Sequence, residues 1–448
     1  MNRRAFIFGG TAACGVVGLR ALAQTAPSVS VGETEMKTDV LICGGGPAGV
    51  AAACLAARQN VRVLLLERYG RLGGMAVQGL VGPLMGNCDS PFLKEVIRHI
   101  GGRNYDPNRL DLQYAELVQK SGAELLLHAW AAEPLMDGGR VAGVRAATKR
   151  GLLRIAAKCV VDATGDGDVA FGAGAPFEQG RSGDKLVQPV SVMFLIGGFD
   201  AGKKPLLCGS EEQARAVRVP EGTWEEVVTR GQKSGELAPT IGVIRIYGSQ
   251  APYYRVVNAT QLNGIDGTCP QDLTRAELEC RRQAFQVVEF LKKHAPGYEQ
   301  VHLVQMPGVV GVRETRRFHG LSCLQREDLI SGRRWPDAVV RQAFFPIDIH
   351  NPAGSGQAEG SGGTGGQGQA ALVKPYDIPY GCLVPKRTDG LLLAGRCISG
   401  SHDAHASYRV QCIAIGVGAA AGAAAALAVK KDVQPRQLDA SAIQPLLG

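Results

Sequence analysis

Residues 38–67 read TDVLICGGGPAGVAAACLAARQNVRVLLLE, and no other segment of the chain constrains the fold as strongly. The apolar run Thr38–Cys43 predicts a buried strand, and the glycines after it predict a tight turn. Small apolar residues over Pro47–Gln59 predict a helix, and Val61–Glu67 predicts a second strand. The stretch therefore predicts one complete β-turn-α-β unit.

The glycines of this turn, Gly44, Gly46 and Gly49, have the spacing that a bound dinucleotide requires. Gly44 permits the tight turn, Gly46 lets the backbone approach a pyrophosphate, and Gly49 lets helix and strand pack closely. The helix, which begins with Pro47 and Ala48, directs N–H groups and its positive dipole end at the phosphates. The spacing thus predicts a pyrophosphate site.

The second strand ends in an acid, Glu67. A carboxylate at this position accepts hydrogen bonds from ribose hydroxyls and would repel a 2′-phosphate, so NADP is excluded while NAD and FAD remain. Two further segments favour FAD. They are Leu72-Gly73-Gly74-Met75 and VVDATGDGD over residues 160–168.

With these motifs the chain resembles the FAD-dependent oxidoreductases of the glutathione-reductase-like flavoprotein superfamily. The likeness continues through GVRETRR (311–317), PIDIHNP (346–352), IPYGCLVP (378–385) and LAGRCIS (393–399). It covers nearly everything from Thr38 to Val429. It is specific for the family and not for a substrate.

The resemblance implies an FAD that lies extended across the first domain. Relatives often end the last strand with Gly-Asp, whose carboxylate holds the ribityl chain, whereas this chain has Gly395-Arg396. That contact is therefore absent or differently supplied. The implied cofactor contacts are Gly44, Gly46, Pro47, Ala48 and Gly49 for the pyrophosphate, Glu67 and Arg68 for the ribose, Ala129 or Trp130 for the adenine, Gly74 and Met75 for the isoalloxazine, and Asp166, Gly395 and Arg396 along the rest.

The expected fold class is α/β. Outside the first β-turn-α-β unit, strands are predicted over Leu152–Lys158, Lys158–Thr164 and Thr240–Val256. We expect a Rossmann-like, three-layer FAD-binding domain, with a parallel sheet and a β-hairpin meander, and an inserted mixed α+β substrate domain. The predicted boundaries are residues 1–23 for a signal peptide, 24–37 for a linker, 38–179 for the first part of the FAD-binding domain, 180–370 for the substrate domain with its glycine-rich loop, 371–435 for the last part of the FAD-binding domain and 436–448 for a tail.

The N-terminus has the features of a signal peptide. Arg3 and Arg4 precede a mild apolar stretch, and Ala21-Leu22-Ala23 forms a small-x-small cleavage site. The pattern Arg-Arg-x-Phe-Ile resembles the twin-arginine signal, whose pathway carries folded proteins that already hold their cofactor. The sequence therefore predicts an exported, periplasmic protein; the alternative is a basic cytoplasmic tail.

Composition excludes several other classes. The formal net charge is +8, and loss of Arg3, Arg4 and Arg20 with the signal would lower it to +5. The remaining basic residues are scattered, so nucleic acid is not expected as a partner. The twelve cysteines form no CxxC pair, and His402 and His405 lack a third ligand nearby, so no metal site is predicted.

An uncharged segment near the C-terminus, Cys412–Val429, is about long enough to cross a bilayer. Alanine and glycine dominate it, and these are less apolar than leucine or phenylalanine. We therefore expect a helix over Arg409–Val429 that packs closely inside the protein, and no stable membrane span in the mature chain.

Six residues are candidates for catalysis or substrate binding. Arg409 would place a positive charge near the flavin N1–C2 edge, which raises the reduction potential; alternatively it is a surface arginine. His350 would serve as a general base or would cap a strand end, and His402 and His405 compete for the role of base. Arg313 and Arg316 would clamp a carboxylate or carbohydrate hydroxyls, or belong to an ion-pair network.

These features predict an FAD-dependent dehydrogenase or oxidase. Hydride would pass from a small organic substrate to flavin N5, and dioxygen, a quinone or a redox protein would reoxidise the flavin. One alternative is a flavin reductase supplied by a cytochrome or quinol. The other is a non-catalytic FAD-holding assembly or binding protein.

Overall fold

A computed structural model describes residues 34–249, 251–358 and 372–447 of the chain. The predicted signal peptide, residues 1–23, lies outside the described residues. So do most of the predicted linker and much of the glycine-rich loop.

Within the described ranges the chain forms eighteen strands and ten α-helices. The strands are β1 (Thr34–Cys43), β2 (Val63–Glu67), β3 (Asn87–Asp89), β4 (Glu124–Leu127), β5 (Trp130–Asp137), β6 (Arg140–Thr148), β7 (Gly151–Asp162), β8 (Phe177–Gln179), β9 (Met193–Gly197), β10 (Arg218–Val219), β11 (Gly222–Thr223), β12 (Arg245–Gly248), β13 (Arg255–Asn258), β14 (His302–Gln305), β15 (Arg316–Phe318), β16 (Ala338–Phe344), β17 (Tyr376–Pro379) and β18 (Leu391–Leu393). The helices are α1 (Pro47–Ala57), α2 (Pro91–Ile100), α3 (Pro107–Ser121), α4 (Asp168–Gly172), α5 (Glu211–Ala216), α6 (Trp224–Ser234), α7 (Pro270–His294), α8 (Arg326–Ser331), α9 (His402–Tyr408) and α10 (Gln411–Lys431).

The largest sheet has the order β4-β2-β1-β7-β6-β5, and β18 also pairs with β7. The strand pairs β4–β2, β2–β1, β1–β7 and β7–β18 are parallel. The pairs β7–β6 and β6–β5 are antiparallel and form a meander. Parallel strands with apolar residues on both faces need helices to cover them, and α1 and α10 pack beside β1 and β7. This confirms the predicted α/β class with a parallel sheet and a hairpin meander.

Two predicted boundaries in this sheet are wrong. The sequence predicted separate strands over Leu152–Lys158 and Lys158–Thr164, but β7 is one strand of 12 residues. Because β7 is that long, β1 pairs with it from Thr34 onward. Residues 34–37, predicted as the end of the linker, therefore belong to a strand.

Helix α10 is buried in the core between the sheet and other helices. It packs against α1 so closely that a Cβ on Gly418 would lie 2.0 Å from the Ala48 carbonyl oxygen, and one on Gly422 would lie 2.1 Å from that of Ala52. α10 is long and apolar enough to cross a membrane, but 89% of its most apolar window is buried inside the protein. The small residues thus allow helix–helix contact, as predicted.

The residues between Val190 and Val312 form a second hydrophobic core. Its sheet has the order β12-β13-β9-β14, and the Trp224 indole N–H donates to the Ile244 carbonyl oxygen at 3.0 Å to fix α6. The strand-like segment Thr240–Val256 is in fact parts of two strands, because the chain reverses and β12 pairs antiparallel with β13.

The second core is smaller than the predicted substrate domain, residues 180–370. Phe318 and Ile347, for example, are buried in the first core. The reason is that β16 pairs with β3 and β17 rather than with the second sheet. The chain therefore returns to the first core well before residue 370, and the cavities described below lie where the two cores meet.

Candidate functional site

The conformation of the turn between β1 and α1 depends on its glycines. Gly44 has φ +104°, and its N–H donates to the Leu66 carbonyl oxygen at 2.8 Å. A Cβ on Gly49 would lie 1.8 Å from the Gly44 carbonyl oxygen, so Gly49 packs the helix onto the turn. Only glycine fits either position, and together they fix the direction in which α1 begins.

A cavity of about 1170 Å³, including space open to solvent, lies in front of this turn; we call it the cofactor cavity. Gly49 is not in its wall, consistent with a packing role. Of the predicted site residues, its wall contains Gly44, Gly46, Pro47, Ala48, Glu67, Arg68, Gly74, Met75, Asp166, Gly395, Arg396 and Arg409.

The start of α1 suits a phosphate group. Gly46 is the N-cap, no side chain caps the helix, and the first turn carries no acid. The first N–H groups of the helix are thus left for another acceptor. A Cβ on Gly46 would meet no heavy atom closer than 3.9 Å, the Gly74 Cα. The space in front of the Gly46 backbone is therefore not filled by other atoms of the protein.

Glu67 is buried at the end of β2 and has two backbone partners. Its Oε2 accepts from the Gly45 N–H at 2.7 Å, and its Oε1 accepts from the Tyr69 N–H at 2.9 Å. Burial raises the pKa of Glu67. The carboxylate therefore holds the glycine turn in place, and each oxygen retains a lone pair for a hydroxyl.

A smaller cavity adjoins the cofactor cavity on the side of Glu67 and Arg68. Its wall includes Ala129 and Trp130, and the Trp130 side chain is 51% exposed. The Ala129 N–H donates to the Glu67 carbonyl oxygen at 3.0 Å, so β2 fixes the position of this segment. The structure thus brings together the residues that the resemblance assigns to adenosine.

Arg396 follows Gly395 at the position where many relatives have an aspartate. Arg396 donates to Asp166 Oδ1 at 2.8 Å, and the Thr315 hydroxyl donates to the same oxygen at 2.8 Å. Asp166 and Arg396 both line the cofactor cavity. Asp166 is therefore the carboxylate that this part of the wall presents, and Arg396 is engaged by it rather than free for a phosphate.

The loop that carries Asp166 is organised by a buried acid, Asp162. Asp162 accepts from the Thr164 N–H at 3.1 Å, the Thr164 hydroxyl at 2.7 Å and the Ala170 N–H at 2.8 Å. Burial raises the pKa of Asp162 to about 6. These contacts fix the Ala-Thr-Gly-Asp segment at the carboxyl end of β7.

A third cavity, of about 950 Å³ including open space, continues from the cofactor cavity; we call it the arginine cavity. The two cavities share wall residues, which are Met75, Val312, Arg396, Arg409 and Gln411. The arginine cavity is further lined by Arg245, Arg313, Asp348 and His350. A compound bound in it would thus contact the part of the cofactor cavity formed by Met75.

His350 and Asp348 form a buried pair in the arginine cavity. His350 Nε2 lies 3.6 Å from Asp348 Oδ2, and the side chains are 10% and 17% exposed. Burial, with the nearby Arg313, lowers the pKa of His350 to about 3. Although burial opposes ionisation of Asp348, His350 and Arg409 hold its pKa well below the usual value. Near neutral pH the pair is therefore a neutral imidazole beside a carboxylate.

Arg409 does not begin the last helix, as predicted, but is the C-cap of α9. A cation at the C-terminal end of a helix is favoured by the helix dipole. Its guanidinium donates to the Asp348 carbonyl oxygen at 3.0 Å and lies 3.3 Å from Asp348 Oδ2. Arg409 thus links the two cavities.

Arg313 and Arg316, proposed as a clamp, point to different places. Arg313 lines the arginine cavity and donates to the Pro189 carbonyl oxygen at 2.7 Å. Arg316 lies 3.2 Å from Asp168 and stacks on the Phe171 ring, with 4.0 Å from its guanidinium carbon to the ring centroid. They diverge because Arg316 lies in strand β15, whereas Arg313 precedes it.

His402 and His405 are in the wall of neither cavity, so their proposed role as bases is not supported. His402 Nδ1 lies 2.8 Å from Glu314 Oε1, and Glu314 also pairs with Arg317. His405 is fully buried, and its ring packs edge-on against Tyr408 with centroids 5.5 Å apart. His402 thus bonds to Glu314, and His405 packs in the core.

Two residues of the arginine cavity were missed. Arg245 begins β12 after the apolar segment Ile241–Ile244 and is 6% exposed; a charge at the end of an apolar run is the signal that identifies it. Asp348 was noticed only as part of the His350 motif. As for metals, no group of three or more potential ligands occurs among residues 34–249, 251–358 and 372–447.

Comparisons with known proteins agree with this geometry. The family model for FAD dependent oxidoreductases matches residues 39–447, so the chain belongs to that family. It is an oxidoreductase, and its cofactor is FAD.

Individual relatives match over shorter segments. Digeranylgeranylglycerophospholipid reductase 2 of Methanopyrus kandleri is 31% identical over 150 residues, which are 29% of this chain and 38% of that protein. Thiamine thiazole synthase of Methanococcus aeolicus is 32% identical over 154 residues, 30% of this chain and 58% of that protein. The matches thus span less than two thirds of these relatives.

Among solved structures, a geranylgeranyl bacteriochlorophyll reductase-like protein from Thermoplasma acidophilum superposes with a TM-score of 0.44 at 15% identity. The superposition covers 92% of this chain and 82% of that chain.

The first prediction concerns Gly46. In Gly46→Ala the new methyl group meets no protein atom, so we expect an unfolding free energy of the apoprotein within about 0.5 kcal/mol of wild type. The same methyl group enters the space of the pyrophosphate, so the Kd for FAD should rise about tenfold or more. Fluorescence titration of the apoprotein with FAD measures the Kd.

Gly44→Ala is the matched variant. Its Cβ would lie 2.4 Å from the Ala163 carbonyl oxygen at φ +104°, so the apoprotein itself should lose on the order of 1–3 kcal/mol of stability. Wild-type FAD affinity in Gly46→Ala would show that the pyrophosphate does not approach this backbone.

The second prediction concerns His405, whose Nδ1 is buried and has no hydrogen-bond partner among the described residues. Burial, followed by the charge of Arg317, lowers the pKa of His405 well below its usual value. In the unfolded chain the His405 imidazole binds a proton near pH 6.5. In the folded chain it stays unprotonated at that pH. Folding stability from this group is therefore complete above about pH 6.5 and is lost as the pH falls, by about 1.4 kcal/mol per unit.

His405→Phe keeps the aromatic contact and removes the titration. Between pH 7.5 and 5 we expect its unfolding free energy, measured by denaturant titration, to gain about 2 kcal/mol relative to wild type. Parallel pH dependences of the two proteins would contradict a neutral, buried His405.

Proposed function

We propose that this FAD-dependent oxidoreductase oxidises a small organic substrate bound in the arginine cavity. The observation that carries the proposal is the shared wall of the two cavities at Met75, Val312, Arg396, Arg409 and Gln411. The resemblance assigns Met75 to the isoalloxazine end of FAD. A substrate in the arginine cavity would then adjoin the redox-active ring.

When bound, FAD supplies an acceptor for two electrons, with hydride transfer from the substrate to N5. The protein must then supply a place for the proton. His350 is neutral near pH 7 because of burial and Arg313, and Asp348 lies 3.6 Å from its Nε2. Asp348 favours the tautomer with the proton on Nε2, which leaves Nδ1 as the proton acceptor.

Arg409 supports the same reaction by its charge. It lies in the wall common to both cavities and is held in place by Asp348. A guanidinium beside the ring stabilises the negative charge that reduction creates. Because burial lowers the pKa of Arg409 only from a very high ordinary value, we expect the group to be cationic during turnover.

The electron acceptor that completes the cycle is dioxygen, a quinone or a redox protein in this proposal. The reverse direction, a flavin reductase supplied by a cytochrome or quinol, is the second candidate. It is supported by the names of relatives that are called reductases. Anaerobic reduction of the holoenzyme followed by admission of air or a quinone separates an oxidase from a dehydrogenase. Failure of every organic donor to bleach the flavin band would favour the reductase.

The third prediction is that His350→Gln lowers kcat about 10²- to 10⁴-fold without changing the FAD content. In wild type the pH profile of kcat/KM should lack an inflection near 6.5, because His350, facing Asp348, Arg313 and Arg245, stays neutral down to about pH 3. Arg281→Gln on the surface of α7 is the control and should retain wild-type turnover. An unchanged kcat in His350→Gln would overturn the assignment of the base.

We also propose that the protein is exported by the twin-arginine pathway to the periplasm. The arginine pair and cleavage site support this. So does the state of the thiols, because nine of the eleven described cysteines are buried and all eleven are free. Folding before export would shield them from an oxidising compartment.

The fourth prediction follows from this pathway. Replacement of both Arg3 and Arg4 by lysine should retain the flavoprotein in the cytoplasm, whereas wild type should be recovered in shortened form from the periplasm. Cell fractionation and intact mass measure this. Wild-type protein found uncleaved in the cytoplasm would overturn the export proposal and would leave the redox proposal untouched.

A further inference from the structure

Four arginine side chains, Arg245, Arg313, Arg396 and Arg409, line one cavity of this protein. Guanidinium groups that share a cavity repel one another, and each loses hydration by burial. Such an arrangement is stable only if acids within the protein or a bound anion balance the charges. The partners of the four side chains therefore show what the cavity lacks.

Three of the four arginines have a carboxylate partner. Arg396 lies 2.8 Å from Asp166 Oδ1. Arg245 pairs with Glu211 behind the cavity wall, with side chains 7% and 19% exposed. Arg409 lies 3.3 Å from Asp348 Oδ2. Their charges are thus largely balanced within the protein.

Arg313 differs from the other three. Its hydrogen bond goes to the Pro189 carbonyl oxygen, at 2.7 Å, and no described acid lies within 4.0 Å of its guanidinium nitrogens. Asp348 is nearby but is shared with Arg409 and His350. Four guanidinium groups therefore face three carboxylates, Asp166, Glu211 and Asp348, and one positive charge is left without a partner.

The physical consequences of this imbalance are visible in the groups themselves. Burial, followed by the charge of Arg409, lowers the pKa of Arg313 to about 9. The Nε of Arg409 is buried without a hydrogen-bond partner among the described residues. A cation without a partner and an unused N–H donor thus occur in the same cavity, and both would be satisfied by an acceptor that carries one negative charge.

Part of the cavity wall is apolar. Met85, Met193, Phe345 and Val410 contribute to its wall, and Phe345 and Met193 are 8% and 4% exposed. The wall of the arginine cavity is apolar in one part and carries guanidinium groups in another. Such a wall suits a compound with a hydrocarbon body and a single anionic end. Carboxylates fit the fork of a guanidinium through two parallel hydrogen bonds.

We propose that the substrate is an organic monocarboxylate, with its carboxylate bound by Arg313 and Arg409 and its apolar body directed toward Met75 and the cofactor cavity. That the bound monocarboxylate is a substrate rests on the proposed function. The anion site itself rests only on the cavity and its charges.

The proposal also explains how His350 becomes an effective base. Burial, Arg313 and Arg245 lower the pKa of His350, whereas Asp348 raises it. A carboxylate on Arg313 would cancel one of the two cations. The pKa of His350 would then rise in the complex, and a neutral compound in the same cavity would meet a much weaker base. Anionic substrates are thus favoured in binding and in proton removal.

The test uses the oxidised holoenzyme and matched probes. Butyrate, hexanoate and benzoate are titrated against butyramide, hexanamide and benzamide, and binding is followed by the change in the flavin absorption spectrum. We expect saturable binding of the carboxylates at least about tenfold tighter than that of the amides. In Arg313→Gln the carboxylates should bind about tenfold or more weakly, with no change for the amides.

Two further variants guard the interpretation. Arg313→Lys keeps the charge and should retain the preference for carboxylates, which separates charge from packing if Arg313→Gln fails to fold. Arg281→Gln removes an exposed arginine of α7 and should bind every probe as wild type does. Flavin content and the thermal unfolding midpoint of each variant show whether it is folded.

Equal binding of amides and carboxylates, no binding of either, or unchanged carboxylate affinity in a folded Arg313→Gln would overturn the anion site. A screen of donors then separates this from the proposed function. Flavin bleaching by neutral compounds alone would leave the oxidation proposal standing without the carboxylate. Tight carboxylate binding with no donor that reduces the flavin would leave the anion site standing without the oxidation.

Discussion

The contact between the turn at Gly44 and the start of α1 determines where every other part of the site lies. Gly44 and Gly49 allow backbone atoms to approach at distances that no side chain permits, and Glu67 ties the turn to β2 through the Gly45 N–H. The N-terminus of α1 is thereby directed into a cavity with no side chain to cap it. A pyrophosphate is the natural acceptor for those N–H groups, and its position fixes the rest of an extended FAD.

The residues that line the cavities differ with their distance from the turn at Gly44. Beside Glu67 the site is polar and partly exposed, whereas beyond Met75 the cavity wall carries four guanidinium groups. Asp348 is the acid at its centre, since it contacts His350 and Arg409 alike. One carboxylate therefore orients the proposed base and balances the cation nearest the cofactor. The cation that it does not balance, Arg313, explains the preference that we propose for anionic substrates.

Local patterns in the sequence were sufficient for the cofactor half of this site. The glycine spacing and Glu67 each act through backbone within a few residues, so one β-turn-α-β unit determines them. The arginine cavity is different, because Arg245 reaches it from the second core and His350 from a segment after β16. No local pattern encodes that meeting. For the same reason His402 was indistinguishable from His350 in the sequence, although Glu314 engages it elsewhere. Strand lengths were also misjudged where pairing decides them, as in β1 and β7.

The most direct measurement is a crystal structure of the oxidised protein with its FAD. We expect the pyrophosphate oxygens within about 3 Å of the N–H groups that follow Gly46, and the isoalloxazine between Met75 and Arg409. A pyrophosphate bound away from the first turn of α1, or a ring that leaves the arginine cavity without contact, would contradict the account.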